Sequence, residues 1–545
     1  MDSIKIANLL FPNTKYTVEE IEKRYKKRNL NDNQVVSRYA PSPTGYMHIG
    51  NFFQMFISYN LTRVTDGTFF LRVEDTDAKR EKKDATQVIY DILDKFGIKP
   101  DEYQTLSGED IGDYGPYVQS QRADIYAVYA KKLVEEGKAF PCFCKKTEGK
   151  EDVLKLREEK FAEDDEKEYD PCRDLSYEQV KANLDAGMLF AIRLKTKNDG
   201  TQRIKFFDLI KGEIEAKANA KDFIILKTDG IPPYAFAHAV DDTLMGTTIV
   251  VRGEEYISSV PAHIELFEAL GFNLITYCHN PLICKIGDNG NRRKISKRYD
   301  PEADMRFYFE EGYPTTSVLE YLLNIINSGF ENWRNANPDK PWTDFKFGVN
   351  DITTVAPIFD LVKLSDVSKN VVSKMSALEV YNHTLAWAEE YDAEFAEYLK
   401  TNKDYAVQVL NIDRETPKPR KDIYKWSMVK EYFDYMFDEP KTTELEEADK
   451  ANFVEFISKY SENYKIEETK EEWFANVKAV AESLGYATDN KLYKANPEAY
   501  KGNTAKACEF VRLALTGRKN SPDLYEIMKI LGNEKVNARF KAVLN

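Results

Sequence analysis

The first third of the chain alternates short apolar runs with longer periodic ones. QVVSRYA (34–40) and TFFLRVED (68–75) are rich in Val, Phe and Leu and bounded by turn residues, which predicts strands. Between them Phe52, Phe53, Phe56, Ile57 and Leu61 recur at helical spacing. Strand, helix, strand is the unit of a parallel sheet with a right-handed crossover. The pattern shifts over 111–224, where CFCKK, a charge-rich tract, and strand-like LFAIRLKT and RIKFFDLIKG read as an inserted α+β unit. Strand-like segments of the first kind return in DFIILKT (222–228), PYAFAHAV (233–240) and TTIVVRGEE (247–255). VPAHIELFEAL (260–270) predicts a helix with Pro261 in its first turn.

From 301 onward the period is helical. PEADMRFYFEEG and TTSVLEYLLNIINSG each run out near a glycine, as helices tend to. Further helices are predicted around 376–392, 423–437, 448–462, 468–484, 505–516 and 522–531. The expected fold is α/β: a Rossmann-type parallel-sheet domain over 31–110 and 225–300, interrupted by an α+β insertion at 111–224. An all-helical C-terminal half follows, divided at 301–376 and 377–545, and residues 1–30 form an N-terminal extension.

Composition narrows the class. With 42% hydrophobic and 13% aromatic residues over 545 positions the chain can bury large cores. No apolar run is long enough to span a membrane, and the early acid of MDSIKIANLL does not suit a secretory signal. The expectation is a soluble cytoplasmic protein. Six cysteines do not make a disulfide framework. A net charge of −14 argues against nucleic-acid binding by bulk charge, though not against a local basic groove. Basic clusters stand at 23–28, 291–298 and 418–425, and a solvated surface explains such clusters as readily as a ligand does.

Chemistry concentrates in RYAPSPTGYMHIGN (38–51), between a predicted strand and a predicted helix. Prolines stiffen that turn, and glycines let the main chain approach a ligand. The helix start offers N–H groups and a positive dipole end, a ready anion site. His48 beside it can donate to phosphate oxygens. An ordinary strand–loop–helix joint with a structural histidine would look the same. Far downstream, GDNGNRRKISKR carries Lys294 and Lys297 on either side of a serine. Such a loop can close over a triphosphate and neutralise its charge.

HIGN and KISKR resemble the two nucleotide-binding motifs of class I aminoacyl-tRNA synthetases. RYAPSPTGYMHIGN and FLRVEDTD are similar to the glutamyl-tRNA synthetases of the bacterial type, as are YVQSQR, YAFAHAVDDTLMGTTIVVRGEEY, FDLVKLS and VRLALTGRKNSPDLYEIMKILG. The resemblance covers nearly the whole chain except about the first thirty residues. It implies ATP-dependent ligation of L-glutamate to the 3′ end of tRNA(Glu), and possibly tRNA(Gln), through a glutamyl-adenylate. It also implies magnesium, a monomer, and amino-acid activation that needs bound tRNA. The insertion would hold the acceptor end, 301–376 would contact the stem, and 377–545 would read the anticodon.

By the same resemblance, ATP would be held by Pro41, Ser42, Pro43, Thr44, Gly45, His48, Ile49, Gly50, Asn51, Lys294, Ile295, Ser296, Lys297 and Arg298. His48, Lys294 and Lys297 would serve the chemical step. Glutamate would be held by Arg38, Ala40, Ser42, Glu74, Tyr234, His238, Arg252 and Glu255. Arg38 and Arg252 suit carboxylates because a guanidinium can grip one bidentately. Arg252 would face the side-chain carboxylate, Glu74 would accept from the substrate ammonium, and Tyr234 would supply a hydroxyl. A surface arginine paired with Glu254 or Glu255 is the plain alternative for Arg252. His238 either contacts substrate or packs.

Cys142, Cys144 and Cys172 resemble a zinc-binding spot of some relatives, but Asp174 stands where those have histidine, so zinc is not expected. Lys145, Lys146, Arg193 and Lys195 are candidate tRNA phosphate contacts, and Arg420, Arg512 and Arg518 are candidate anticodon contacts that would equally serve as structural residues. Competing functions are glutaminyl-tRNA synthesis, glutamylation of a tRNA base, and a non-catalytic RNA-binding paralogue. Arg252 speaks against the first, residues 377–545 against the second, and His48 with Lys297 against the third.

Overall fold

Short strands rich in aromatic and β-branched residues, buried on both faces, make the parallel sheet. The computed structural model describes residues 2–43, 45–76, 84–144, 171–440 and 444–544. In it, Val36–Tyr39 runs parallel to Thr68–Leu71, with Arg38 opposite Phe70. Helix Ile49–Val64 crosses between them and buries Phe52, Phe53, Phe56, Ile57 and Leu61, the positions selected by spacing. Ile249–Gly253 pairs in parallel with Thr276–Asn280, which meets the end of Arg203–Asp208 at Tyr277 opposite Asp208. The two sheets join along Val36–Tyr39. Thr248 N–H donates to the Val36 carbonyl at 2.9 Å, and the Ser37 hydroxyl donates to the Ile249 carbonyl at 2.9 Å. Strand order reverses at this seam, the place where open parallel sheets bind ligands at their C-terminal strand ends.

Two expected strands behave otherwise. PYAFAHAV belongs to a helix, Tyr234–Leu244, that follows Pro233. Every residue from Phe236 to Asp242 is buried, so the helix has no polar face to reveal its period. DFIILKT does form a strand, Phe223–Leu226, but it pairs antiparallel with Ala191–Leu194 and so with Ala139–Cys142, away from the parallel sheet. TTIVVRGEE and VPAHIELFEAL form strand Ile249–Gly253 and helix Val260–Leu270, with Pro261 in the first turn.

The first thirty residues form helices Asp2–Leu10 and Val18–Arg24. Ala7, Leu10, Ile21 and Tyr25 enter one core with Ile125, Tyr126 and Tyr129 of helix Ala123–Glu135. Arg28 grips Glu102 bidentately at 2.7 and 2.6 Å and donates to the Met245 carbonyl, so part of the 23–28 basic cluster is structural.

The chain divides into two compact units, residues 1–307 with 319–360 and residues 308–318 with 361–545. The second is built of helices, among them Ala377–Tyr391, Lys450–Asn463, Lys470–Ser483 and Thr504–Thr516, around a core that includes Trp426, Phe456, Tyr460, Phe510 and Phe540. The expected helix at 423–437 forms only as Met428–Tyr432 and Asp434–Phe437, because Phe433 leaves the helical conformation (φ −110°, ψ 20°). No described helix is long and apolar enough to cross a membrane.

Candidate active site

The turn after Val36–Tyr39 feeds helix Ile49–Val64, and His48 is the residue that caps it. Its Nδ1 accepts from Gly50 N–H at 2.9 Å, so the ring proton is on Nε2. A Cβ on Gly50 would come within 3.1 Å of that Nδ1, which is why the position wants glycine. The helix start is less open than expected. Gly50 N–H is taken by the imidazole, and the N–H groups of Asn51 and Phe52 bond the His48 carbonyl. Burial, then Lys297 and Lys294, push the His48 pKa down to about 4, so the ring is neutral at pH 7.

The downstream loop arrives at the same place. Arg292–Lys294 forms a hairpin with Cys284–Ile286. Asp300 anchors the loop behind it, taking Arg293 bidentately at 2.6 and 2.7 Å and Ser296 N–H at 2.9 Å. Those bonds, that to Arg293 first, hold its carboxyl at a pKa of about 2. Lys297 Nζ donates to the Tyr46 carbonyl, joining the two segments across 251 residues. An open pocket of about 120 Å³ lies between them, lined in part by His48, Gly50, Asn51, Glu255, Lys294 and Ile295. Glu255, expected on the amino-acid side, lines this pocket and pairs with Lys294 at 3.2 Å. Pro41 and Pro43 are buried, Ile49 is buried, and Ser42, Gly45 and Ser296 are half-buried. Arg298 is exposed beside Tyr299, and Thr44 lies outside the described residues.

Below the turn lies a buried cluster of charges. Arg38 Nε meets both oxygens of Asp242 at 3.1 Å. Arg72 reaches Asp242 at 2.7 Å and Glu74 at 3.1 Å, and Arg122 reaches Asp241 at 2.7 Å. Three guanidiniums thus face three carboxylates, all under 9% exposed. Arg38, expected as a substrate clamp, already has an internal partner, although its terminal nitrogens make no hydrogen bond to a described residue. Glu74 N–H bonds the Pro41 carbonyl, which sets its carboxylate beside the turn that holds Ala40. Burial raises the Glu74 pKa against the pull of Arg72 and Arg38. An incoming ammonium would favour its charged form. His238 matches the packed alternative. It is fully buried, its Nδ1 faces Asp242 at 2.5 Å and its Nε2 faces the Tyr277 hydroxyl at 3.0 Å, so neither nitrogen remains for a substrate.

Arg252 ends Ile249–Gly253 and is 3% exposed. It does not pair with the neighbouring glutamates: Glu254 takes Lys211 at 2.6 Å and Glu255 takes Lys294. Instead its Nε donates to His279 Nε2 at 3.0 Å, one terminal nitrogen donates to the Tyr234 hydroxyl at 3.2 Å, and the other donates to His263 Nδ1 at 3.3 Å. Arg252 and His279 are register partners on adjacent parallel strands. His279 Nδ1 faces Asp208 at 2.7 Å. A carboxylate only accepts and a guanidinium only donates, so the His279 proton sits on Nδ1. One hydrogen remains on each terminal nitrogen of Arg252, a fork suited to a carboxylate. His263 and His279 were not singled out by sequence. Each is a lone histidine whose meaning comes only from the strand pairing and helix packing that bring it to Arg252.

Elsewhere, the sulfurs of Cys142, Cys144 and Cys172 lie within 4.8 Å of one another, close enough to share one soft ion. Asp174, the carboxylate offered as a fourth ligand, is turned to Lys195 at 2.9 Å. Arg193 donates to the Asp222 carbonyl, and Lys145 and Lys146 lie outside the described residues. In the helical unit, Arg420 bonds Asp422 and Tyr432, Arg512 bonds Ser521, and Arg518 bonds Asp434 at 2.8 Å. All three are tied into their own unit.

Comparison with known proteins adds to this geometry. Residues 34–331 match the model of the class I tRNA synthetase catalytic domain for E and Q, and residues 393–544 match that of an anticodon-binding domain. The chain is 45% identical to the glutamate–tRNA ligase of Clostridium perfringens (strain SM101 / Type A), covering 99% of each. It is 41% identical to that of Acetivibrio thermocellus, covering 100% of each. The crystal structure of a glutamate-tRNA synthetase from Elizabethkingia anophelis has the same fold, with a TM-score of 0.72 at 24% identity over 94% of this chain and 99% of that one.

Proposed function

The chain belongs to the class I tRNA synthetases of the glutamate and glutamine group, and from that premise we propose that it ligates L-glutamate to the 3′ end of tRNA at the expense of ATP. The observation that carries this is the meeting of the HIGN and KISKR segments at one pocket, with Arg252 held ready in the same sheet.

The first step forms a bond between the glutamate α-carboxylate and the α-phosphorus, and breaks the bond to the β-phosphate, releasing pyrophosphate. The nucleophile is already an anion, so no general base is required. What remains is positioning and charge stabilisation. Neutral His48 would turn its Nε2 proton from the Ile295 backbone to a phosphate oxygen. Lys294 and Lys297 would leave Glu255 and the Tyr46 carbonyl to meet the phosphates. Arg252 would take the side-chain carboxylate and Glu74 the ammonium. In the second step a ribose hydroxyl of the terminal adenosine attacks the mixed anhydride and AMP departs. Magnesium would accompany ATP, held mainly by phosphate oxygens and water, with Glu255 the one carboxylate among the pocket's lining residues. The helical unit would read the anticodon, and its choice between tRNA(Glu) alone and tRNA(Glu) with tRNA(Gln) decides discrimination.

The test is charging of separate tRNA(Glu) and tRNA(Gln) transcripts with labelled glutamate or glutamine. Glutamate should be transferred to tRNA(Glu) and glutamine to neither. Transfer of glutamine would favour the second amino acid of the family and refute the assignment. Pyrophosphate exchange should also depend on added tRNA.

A further inference from the structure

The environment of Arg252 points to a device that goes one step beyond the reading of that residue as the side-chain clamp, and rests on it. No described carboxylate lies within ion-pairing distance of this buried guanidinium. Its three partners are two imidazole lone pairs and a phenol oxygen. The rings of Tyr277 and Tyr256 face it at 4.4 and 5.2 Å. The nearest anion in the chain of contacts, Asp208, stands one imidazole away and serves to keep the His279 proton off Nε2. A buried cation without a counter-ion is costly unless something compensates it.

We propose that His263 and His279 are specificity-determining positioning residues: they fix Arg252 through neutral acceptors only, so that its charge is left for a substrate carboxylate and the pocket prefers glutamate to the neutral amide of glutamine. A carboxylate at either place would grip Arg252 equally well and cancel its charge. Geometry and charge can therefore be separated by isosteric substitutions. Asn at 263 can put a neutral oxygen near the place of Nδ1, and Asp can put a charged one there.

The experiment is aminoacylation of tRNA(Glu) by the full-length chain, with KM measured for glutamate and for ATP. His263→Asp should raise KM for glutamate by about 30-fold, with KM for ATP nearly unchanged, while His263→Asn should stay within about 3-fold. If His263→Asp does not fold, the pair Tyr256→Glu and Tyr256→Gln asks the same question at a position 40% exposed, where a charge is tolerated. Equal KM values within a pair would overturn the proposal. Arg252→Met separates the two levels. If it raises KM for glutamate while the Asp and Asn variants match, the neutral-acceptor device alone falls. If it leaves KM unchanged, the reading of Arg252 as the clamp falls and takes the device with it.

Discussion

Arg72 and Arg252 are both buried in the same compact unit, at 0% and 3% exposure, and their surroundings are opposite. Arg72 sits in a closed circuit with Arg38, Arg122, Asp241, Asp242 and Glu74, where positive and negative groups match one for one. Arg252 sits among imidazoles and phenols with no anion beside it. The closed circuit fastens Val36–Tyr39 and Thr68–Leu71 to helix Tyr234–Leu244 and helps to build the floor of the site. The open one holds a charge in place for something that is absent from the chain itself. Burial alone does not tell a structural arginine from a binding one. The partners do.

The largest effect should come from breaking the closed circuit. Asp242→Asn strips a charge partner from both Arg38 and Arg72 and disturbs the His238 tautomer. Loss of one partner of a buried ion pair typically costs about 3–5 kcal/mol, and urea unfolding should show a loss in that range. A pH-dependent effect comes from the histidines. Burial pushes His238 and His48 down to about 4, and His263 and His279 also lie below their ordinary values. Unfolded, each would bind its proton near 6.5, so the unfolded chain holds more protons below that pH. Stability should therefore be complete above about pH 6.5 and fall as pH drops toward 4, by up to roughly 1.4 kcal/mol per unit for each such histidine. Thermal melts at pH 7.5, 6 and 5 check the direction. A melting temperature that rose on acidification would contradict it. The smallest effect belongs to exposed pairs such as Lys195 with Asp174. Asp174→Ala should change stability by no more than about 1 kcal/mol.

The two segments that meet at the pocket were legible before any coordinates. HIGN and KISKR are local patterns, and a turn or hairpin loop presents such residues where sequence places them. Glu74 was legible at a strand end, and Arg252 only through the resemblance carried by its segment. The inner layer was not. His279 matters because its strand lies in register with that of Arg252, and His263 because helix Val260–Leu270 turns it inward. Neither relation is written in a window of ten residues. Helix Tyr234–Leu244 was misread as a strand because burial on all sides removes the polar face that reveals a period. With the helix missed, the i, i+4 link of His238 to Asp242 stayed hidden, and the choice between substrate contact and packing stayed open.

One side-by-side measurement tests the contrast most directly: urea midpoint and glutamylation of tRNA(Glu) for Arg252→Met, set against Asp242→Asn. Arg252→Met should keep its stability within about 1 kcal/mol of the parent, since an uncompensated buried cation is replaced by an apolar chain of similar length, while glutamate transfer at low glutamate falls by about 100-fold. A parent-like rate of transfer, or a loss of activity that merely follows a loss of stability as in Asp242→Asn, would contradict the account.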